Sequence, residues 1–187
     1  MIKEIIPEVL TILTLLSDIA IFLIIFGILF SKIYNVYKFE KTKLFFKKNY
    51  LLFGFIVSVI ATLGSLFYSE ILRYTPCILC WWQRIFMYPQ VLIFGFAFLK
   101  KDNKIANYSI LLSFIGGVIA LYHYLMQIGA IRGSTCDIVG YSLSCSETFF
   151  LSYGYITIPM MALTAFILLI FLGLNIKSKD KGDNQCH

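Results

Sequence analysis

Five apolar runs, each long enough to cross a lipid bilayer, leave this chain little choice of fold. Residues 9–30 carry a single charge, Asp18, and residues 50–68 carry none. Residues 80–99 hold only Arg84, in the first turn. Residues 108–128 contain His123, and residues 155–176 are free of charge. Lipid cannot hydrogen-bond an exposed backbone, so such runs must satisfy their own N–H and C=O groups as helices. At 1.5 Å per residue, about 20 residues cover a hydrocarbon core of about 30 Å. The predicted fold class is therefore an all-α, polytopic membrane protein with five spanning helices. Composition agrees: 59% of the residues are hydrophobic and 14% charged, against about 45–50% and about 25% in soluble domains. Five cysteines in 187 residues are too few for a small secreted disulfide scaffold.

Lysine sets the expected orientation. Residues 31–49 hold Lys32, Lys38, Lys41, Lys43, Lys47 and Lys48 against Glu40. Lys100, Lys101 and Lys104 follow the third run, and Lys177, Lys179 and Lys181 follow the fifth. A five-helix alternation puts these three segments on one side, with Lys3 the only lysine elsewhere. The positive-inside rule makes that side cytoplasmic and the N-terminus external. The net charge of +6 then encodes topology, and no nucleic-acid partner is expected. Glu4 and Glu8 before the first run, and no A-x-A pattern after it, argue for a retained helix over a signal peptide. The polar tail, residues 178–187, is expected to be disordered.

On this topology Cys77, Cys80, Cys136 and Cys145 lie outside, where disulfides persist, and Cys186 lies in the cytoplasmic tail. A C-x-x-C alone fits a zinc site, a structural disulfide or a redox pair. A helix beginning near Ile78 would set Cys80 and Arg84 at i,i+4 on one face. Cation and helix N-terminus would then both favour a thiolate at Cys80. Arg84, one turn inside a span, either faces a polar cavity or snorkels to the interface. His123 is either packed against a hydroxyl or carbonyl, or handles protons. Trp81 and Trp82 read as interface aromatics, although either is flat enough to wall a cofactor. Pro89 and Pro159 are expected to mark kinks, and Gly116-Gly117 a close helix approach. Cys136 and Cys145 enclose eight residues, suiting a local bridge or a loop redox pair. Two dithiols on one side make thiol–disulfide exchange between them available.

The stretch Pro76-Cys77-Ile78-Leu79-Cys80-Trp81-Trp82-Gln83-Arg84-Ile85-Phe86-Met87-Tyr88-Pro89 resembles the signature of the disulfide bond formation protein B (DsbB) family, and more closely its BdbC-like branch. Tyr122-His123-Tyr124 and Gly154-Tyr155-Ile156-Thr157-Ile158-Pro159 agree with it. The resemblance covers a four-helix core at 49–176, which sets off an N-terminal helix and lysine-rich loop at 1–48 and a tail at 177–187. It implies a bacterial cytoplasmic-membrane protein that passes electrons from a thioredoxin-fold thiol oxidase, DsbA- or BdbD-like, to a membrane quinone, ubiquinone or menaquinone. Carried over by position, Cys136 and Cys145 would take electrons from the partner. Cys77 and Cys80 would re-oxidise that pair. Arg84 and His123 would contact the quinone, and no metal is implied. Cys80 is expected as the quinone-proximal thiolate and Cys77 as the exposed, exchanging member. The first helix lies outside the family's four-helix plan, and the second cysteine pair is closer together than in the family's best-known members.

Two other readings stand beside this one. A non-enzymatic scaffold would hold zinc on the four outer cysteines or close two structural disulfides. A vitamin K epoxide reductase-like enzyme would run thiol chemistry with a different electron balance. No His follows Cys80, so the C-x-x-C-H haem attachment motif is excluded.

Overall fold

A computed structural model describes residues 2–31, 40–100, 106–131 and 150–183, and the side chains of most of them. Five α-helices account for nearly all of it: α1 (Ile2–Ser31), α2 (Glu40–Leu66), α3 (Ile78–Lys100), α4 (Ala106–Gln127) and α5 (Ile158–Asp183). Among the described residues there is no strand, only an isolated bridge between Ser152 and Ile156. The all-α expectation holds. By length and composition the described parts of α1, α2 and α4 suffice to cross a membrane, while the apolar part of α5, Ile158–Leu174, is shorter.

Two boundaries differ from the sequence reading. α2 begins at Glu40, within the lysine-rich link, because Lys, Glu and Leu are good helix formers and neither Gly nor Pro interrupts residues 40–53. α5 runs on to Asp183, through residues expected to be disordered; its first breaker beyond Gly173 is Gly182. Pro159 marks no kink. It lies in the first turn of α5, where a missing N–H is harmless. Pro89 is inside α3, as expected.

Helices α2 to α5 form a bundle in which α4 packs on α5, α2 on α3, α3 on α4 and α2 on α5; α1 leans on α5. The core at their centre is Met87, Phe94, Ala120, Ala165, Phe166 and Leu169. Gln90 is fully buried and ties α3 to α4, bonding the hydroxyls of Ser109 at 2.6 Å and Ser113 at 2.9 Å. Large apolar side chains such as Leu63, Leu92 and Phe114 point away from the bundle, as lipid-facing residues do.

The glycine pair in α4 permits the close approach expected of it. A Cβ on Gly116 would collide with the Phe166 ring, whereas one on Gly117 would sit 3.6 Å from Phe166 Cβ, an ordinary contact. Gly116→Val should destabilise the bundle by about 1–3 kcal/mol through overpacking. Gly117→Ala should leave the thermal unfolding midpoint in detergent nearly unchanged. Equal midpoints for the two variants would show that α4 and α5 do not meet in this way.

Candidate functional site

At the end of the bundle where α2 passes to α3, a π-helical turn, Phe67–Ile71, closes the α2 segment. Such turns recur at functional sites. The chain then runs through Arg73, in the left-handed region at φ 58°, to Pro76 and Cys77. The Cys77 carbonyl accepts the Trp81 N–H at 3.2 Å, which makes Cys77 the N-cap of α3. The C-x-x-C spacing therefore becomes an N-cap-to-N3 spacing, and the two sulfurs lie 3.3 Å apart. Across the bundle, α4 supplies His123, 1% exposed, with Nε2 3.6 Å from Cys77 Sγ.

The other ring nitrogen, Nδ1, is 3.0 Å from Gln83 Nε2. Gln83 thus fixes the ring so that Nε2 faces Cys77. Gln83 itself is 7% exposed. Sequence reasoning missed it, although an amide next to Arg84 within an apolar run was a signal.

These contacts act on Cys77, in the loop ahead of α3. Its thiol is held well below the ordinary value of 9.0, first by the hydrogen bond from Cys80. Burial opposes this. The His123 hydrogen bond and charge, and the Cys80 backbone N–H, add to the lowering. The expected division of roles therefore changes. Cys77 is the buried member at 4% exposed, Cys80 is half-buried, and the N-cap geometry favours the thiolate at Cys77.

Arg84 lines a cavity that Cys77 and Cys80 also line, one of the two placements expected of it. It shares a helix with Cys80 at i,i+4, but its guanidinium turns to α2: Nε donates to Ser65 Oγ at 3.0 Å and an Nη to the Ser65 carbonyl at 3.3 Å. It also lies 5.3 Å from the centre of the Trp81 ring. Trp81 and Trp82 are exposed, and neither lines the cavity beside the site.

That cavity holds about 320 Å³, within the range of small-molecule pockets. Cys77, Cys80, Gln83, Arg84 and His123 meet at its polar side; Val57, Ile60, Met87 and Phe166 make apolar wall. One described donor set fits a soft metal ion. The ligand atoms of Cys77, Cys80 and His123 all lie within 4.8 Å of one another. Cys136, Cys145 and Cys186 are outside the described residues.

The family model for "Disulfide bond formation protein DsbB" matches residues 47–176. "Probable disulfide formation protein C 1" of Bacillus cereus is 49% identical over 125 residues, 65% of this chain and 87% of that protein. "SPbeta prophage-derived disulfide bond formation protein B" of Bacillus subtilis is 42% identical over 140 residues, 74% of this chain and 93% of its own length. "Disulfide bond formation protein C" of the same organism is 40% identical over 136 residues, 71% of this chain and 97% of its own length. No solved structure matches the chain.

Proposed function

This chain belongs to the DsbB family, multi-pass membrane disulfide oxidoreductases of disulfide bond formation, and on that premise we propose that it oxidises a thioredoxin-fold thiol oxidase and delivers the electrons to a membrane quinone. The observation that carries the proposal is the closely spaced Cys77–Cys80 pair opening onto the cavity that Arg84 and His123 also line.

The residues present suit a quinone. Its ring needs an apolar slot, and its oxygens need donors that stabilise developing negative charge. The cavity offers Val57, Ile60 and Met87 for the first and Arg84 for the second, while His123 lines it beside Cys77. When bound, the quinone supplies a sink for two electrons and two protons.

The electron path runs through sulfur. A thiolate of the partner attacks the Cys136–Cys145 disulfide, the partner leaves oxidised, and Cys136 and Cys145 become a dithiol. That dithiol in turn reduces a Cys77–Cys80 disulfide. When Cys77 and Cys80 close again, two electrons and two protons leave the pair, which balances quinone to quinol. The His123 imidazole and the backbone N–H of Cys80 stabilise the Cys77 thiolate at each passage. Arg84, steadied by Ser65, presents positive charge at the same depth. With the lysine-rich segments cytoplasmic, this chemistry faces the oxidising side.

The test supplies purified protein with a reduced thioredoxin-fold dithiol and a short-tailed quinone, and follows quinol formation. Turnover is expected in the wild type. In Cys136→Ser and Cys145→Ser, turnover driven by the protein dithiol should vanish, while reduction by dithiothreitol acting directly on Cys77–Cys80 persists. Protein-driven turnover that survives both substitutions would overturn the two-pair scheme. Stoichiometric zinc on Cys77, Cys80 and His123 with no turnover would establish the scaffold instead.

A further inference from the structure

Helix α1 precedes the family-matched segment, residues 47–176. One of the relatives is matched over 97% of its own length by 136 residues, which leaves no room in it for a counterpart to this 30-residue helix. A helix added to a complete core calls for a reason.

Its residues Leu10, Leu13, Thr14 and Ser17 all line the cavity beside Cys80 and Arg84. The spacing is i, i+3, i+4, i+7, one stripe of a helix. The opposite stripe, with Val9, Ile12, Leu16 and Ile19, is exposed, as befits a surface turned to lipid. The cavity-facing stripe is chemically apolar despite its two hydroxyls. Thr14 Oγ1 donates to the Leu10 carbonyl and Ser17 Oγ to the Leu13 carbonyl, each at 2.8 Å, so both are satisfied within the helix.

Two contacts fix where this stripe lies. On α2, Gly64 has no side chain; a Cβ there would come 3.2 Å from Leu10 Cδ1. The second contact is polar. Asp18, the only charge in the first apolar run, accepts from Thr164 Oγ1 of α5 at 2.7 Å and from the Tyr155 hydroxyl at 3.3 Å. An acid inside a spanning helix is costly unless paired and commonly marks function.

We propose that α1, pinned through Asp18 to Thr164 and Tyr155, is the lipid-side wall of the quinone cavity and binds the alkyl-substituted, tail-bearing side of the quinone. This rests on the quinone reading of the site. The division of labour follows from chemistry: α3 and α4 hold the thiols and the donors, whereas α1 offers hydrocarbon and no free donor. It therefore senses the tail and ring substituents, not the redox oxygens. Asp18 is a positioning residue, acting through the placement of Leu10 and Leu13.

Three variants of the full chain in lipid nanodiscs test this, with decyl-substituted benzoquinone and unsubstituted benzoquinone as probes. Leu13→Trp fills the wall side, Asp18→Ala unpins the helix, and Asp18→Asn keeps an acceptor oxygen. Leu13→Trp and Asp18→Ala should raise KM for decyl-benzoquinone roughly tenfold, the scale of a lost apolar contact in a binding pocket. The kcat at saturation, and KM for the unsubstituted quinone, should change little. Asp18→Asn should restore most of the loss. Independently of turnover, a photoreactive decyl-quinone should label residues 2–31 in wild type without any dithiol present, and Leu13→Trp should abolish the label. Unchanged KM in both Leu13→Trp and Asp18→Ala, with no label on α1, would overturn the wall while leaving quinone reduction intact. A label on α1 in a protein that reduces no quinone would instead refute the electron path and keep the wall.

Discussion

Cys77→Ser and Cys80→Ser should each lower quinone-linked turnover by roughly a thousandfold or more, the loss seen when one member of a unit that acts together is removed. Serine can occupy either site with little disturbance. Cys77 packs against Leu79 and Met126 in a small cluster, and a hydroxyl can still hydrogen-bond a neighbouring sulfur. What serine cannot do is form the sulfur–sulfur bond, and Cys77 and Cys80 are the only cysteines among the described residues. With one sulfur left, there is no two-electron couple at the cavity. The prediction therefore separates chemistry from structure. Quinol formation should collapse in both variants, while thermal midpoints in detergent stay within a few degrees of wild type and the decyl-quinone label is retained. Turnover above about a tenth of wild type in either variant would mean that electrons reach the quinone without this pair.

The fold was legible because lipid is a demanding solvent. Runs of apolar residues with one charge or none could only be helices, and their number and order were read correctly. α3 begins at Ile78, the start on which the i,i+4 reading of Cys80 and Arg84 was conditional, two residues before the apolar run at 80–99. Local sequence could not show where side chains turn when they have a choice. Arg84 sits four residues from Cys80, yet its guanidinium goes to Ser65, 19 residues earlier on another helix. His123 reaches Cys77 across 46 residues of sequence. Both are tertiary facts, and they reversed the expected thiolate. A cation at i,i+4 had pointed to Cys80, but the N-cap, the facing imidazole and the Cys80 thiol itself all serve Cys77. Asp18 was visible as an odd charge, but its partners Tyr155 and Thr164 lie at the far end of the chain.

The thiolate at Cys77 carries the second large expectation, which concerns pH. The causes of its lowered pKa are ranked: the Cys80 hydrogen bond first, with His123 acting later through a hydrogen bond and charge. Cys80→Ala should therefore raise the Cys77 pKa more than His123→Leu does, and Gln83→Leu should act in the same direction by freeing the imidazole. The measurement is the rate at which iodoacetamide alkylates reduced Cys77 as pH is varied, which does not depend on turnover. Each unit by which the pKa rises above the ambient pH removes about nine-tenths of the thiolate. In wild type the rate should hold well below neutrality; in Cys80→Ala it should fall away from the alkaline side, near the ordinary thiol value. The sign for stability follows from the same shift. Because the folded pKa lies below the unfolded one, the thiolate stabilises the reduced protein fully above 9.0, and that contribution is lost as pH falls through the depressed folded value. Stabilising the reduced state makes the Cys77–Cys80 disulfide the stronger oxidant. His123→Leu and Gln83→Leu, which keep both sulfurs, should thus weaken it as an acceptor of electrons from the second dithiol. An alkylation profile unchanged by both Cys80→Ala and His123→Leu would show that neither neighbour holds the Cys77 thiolate.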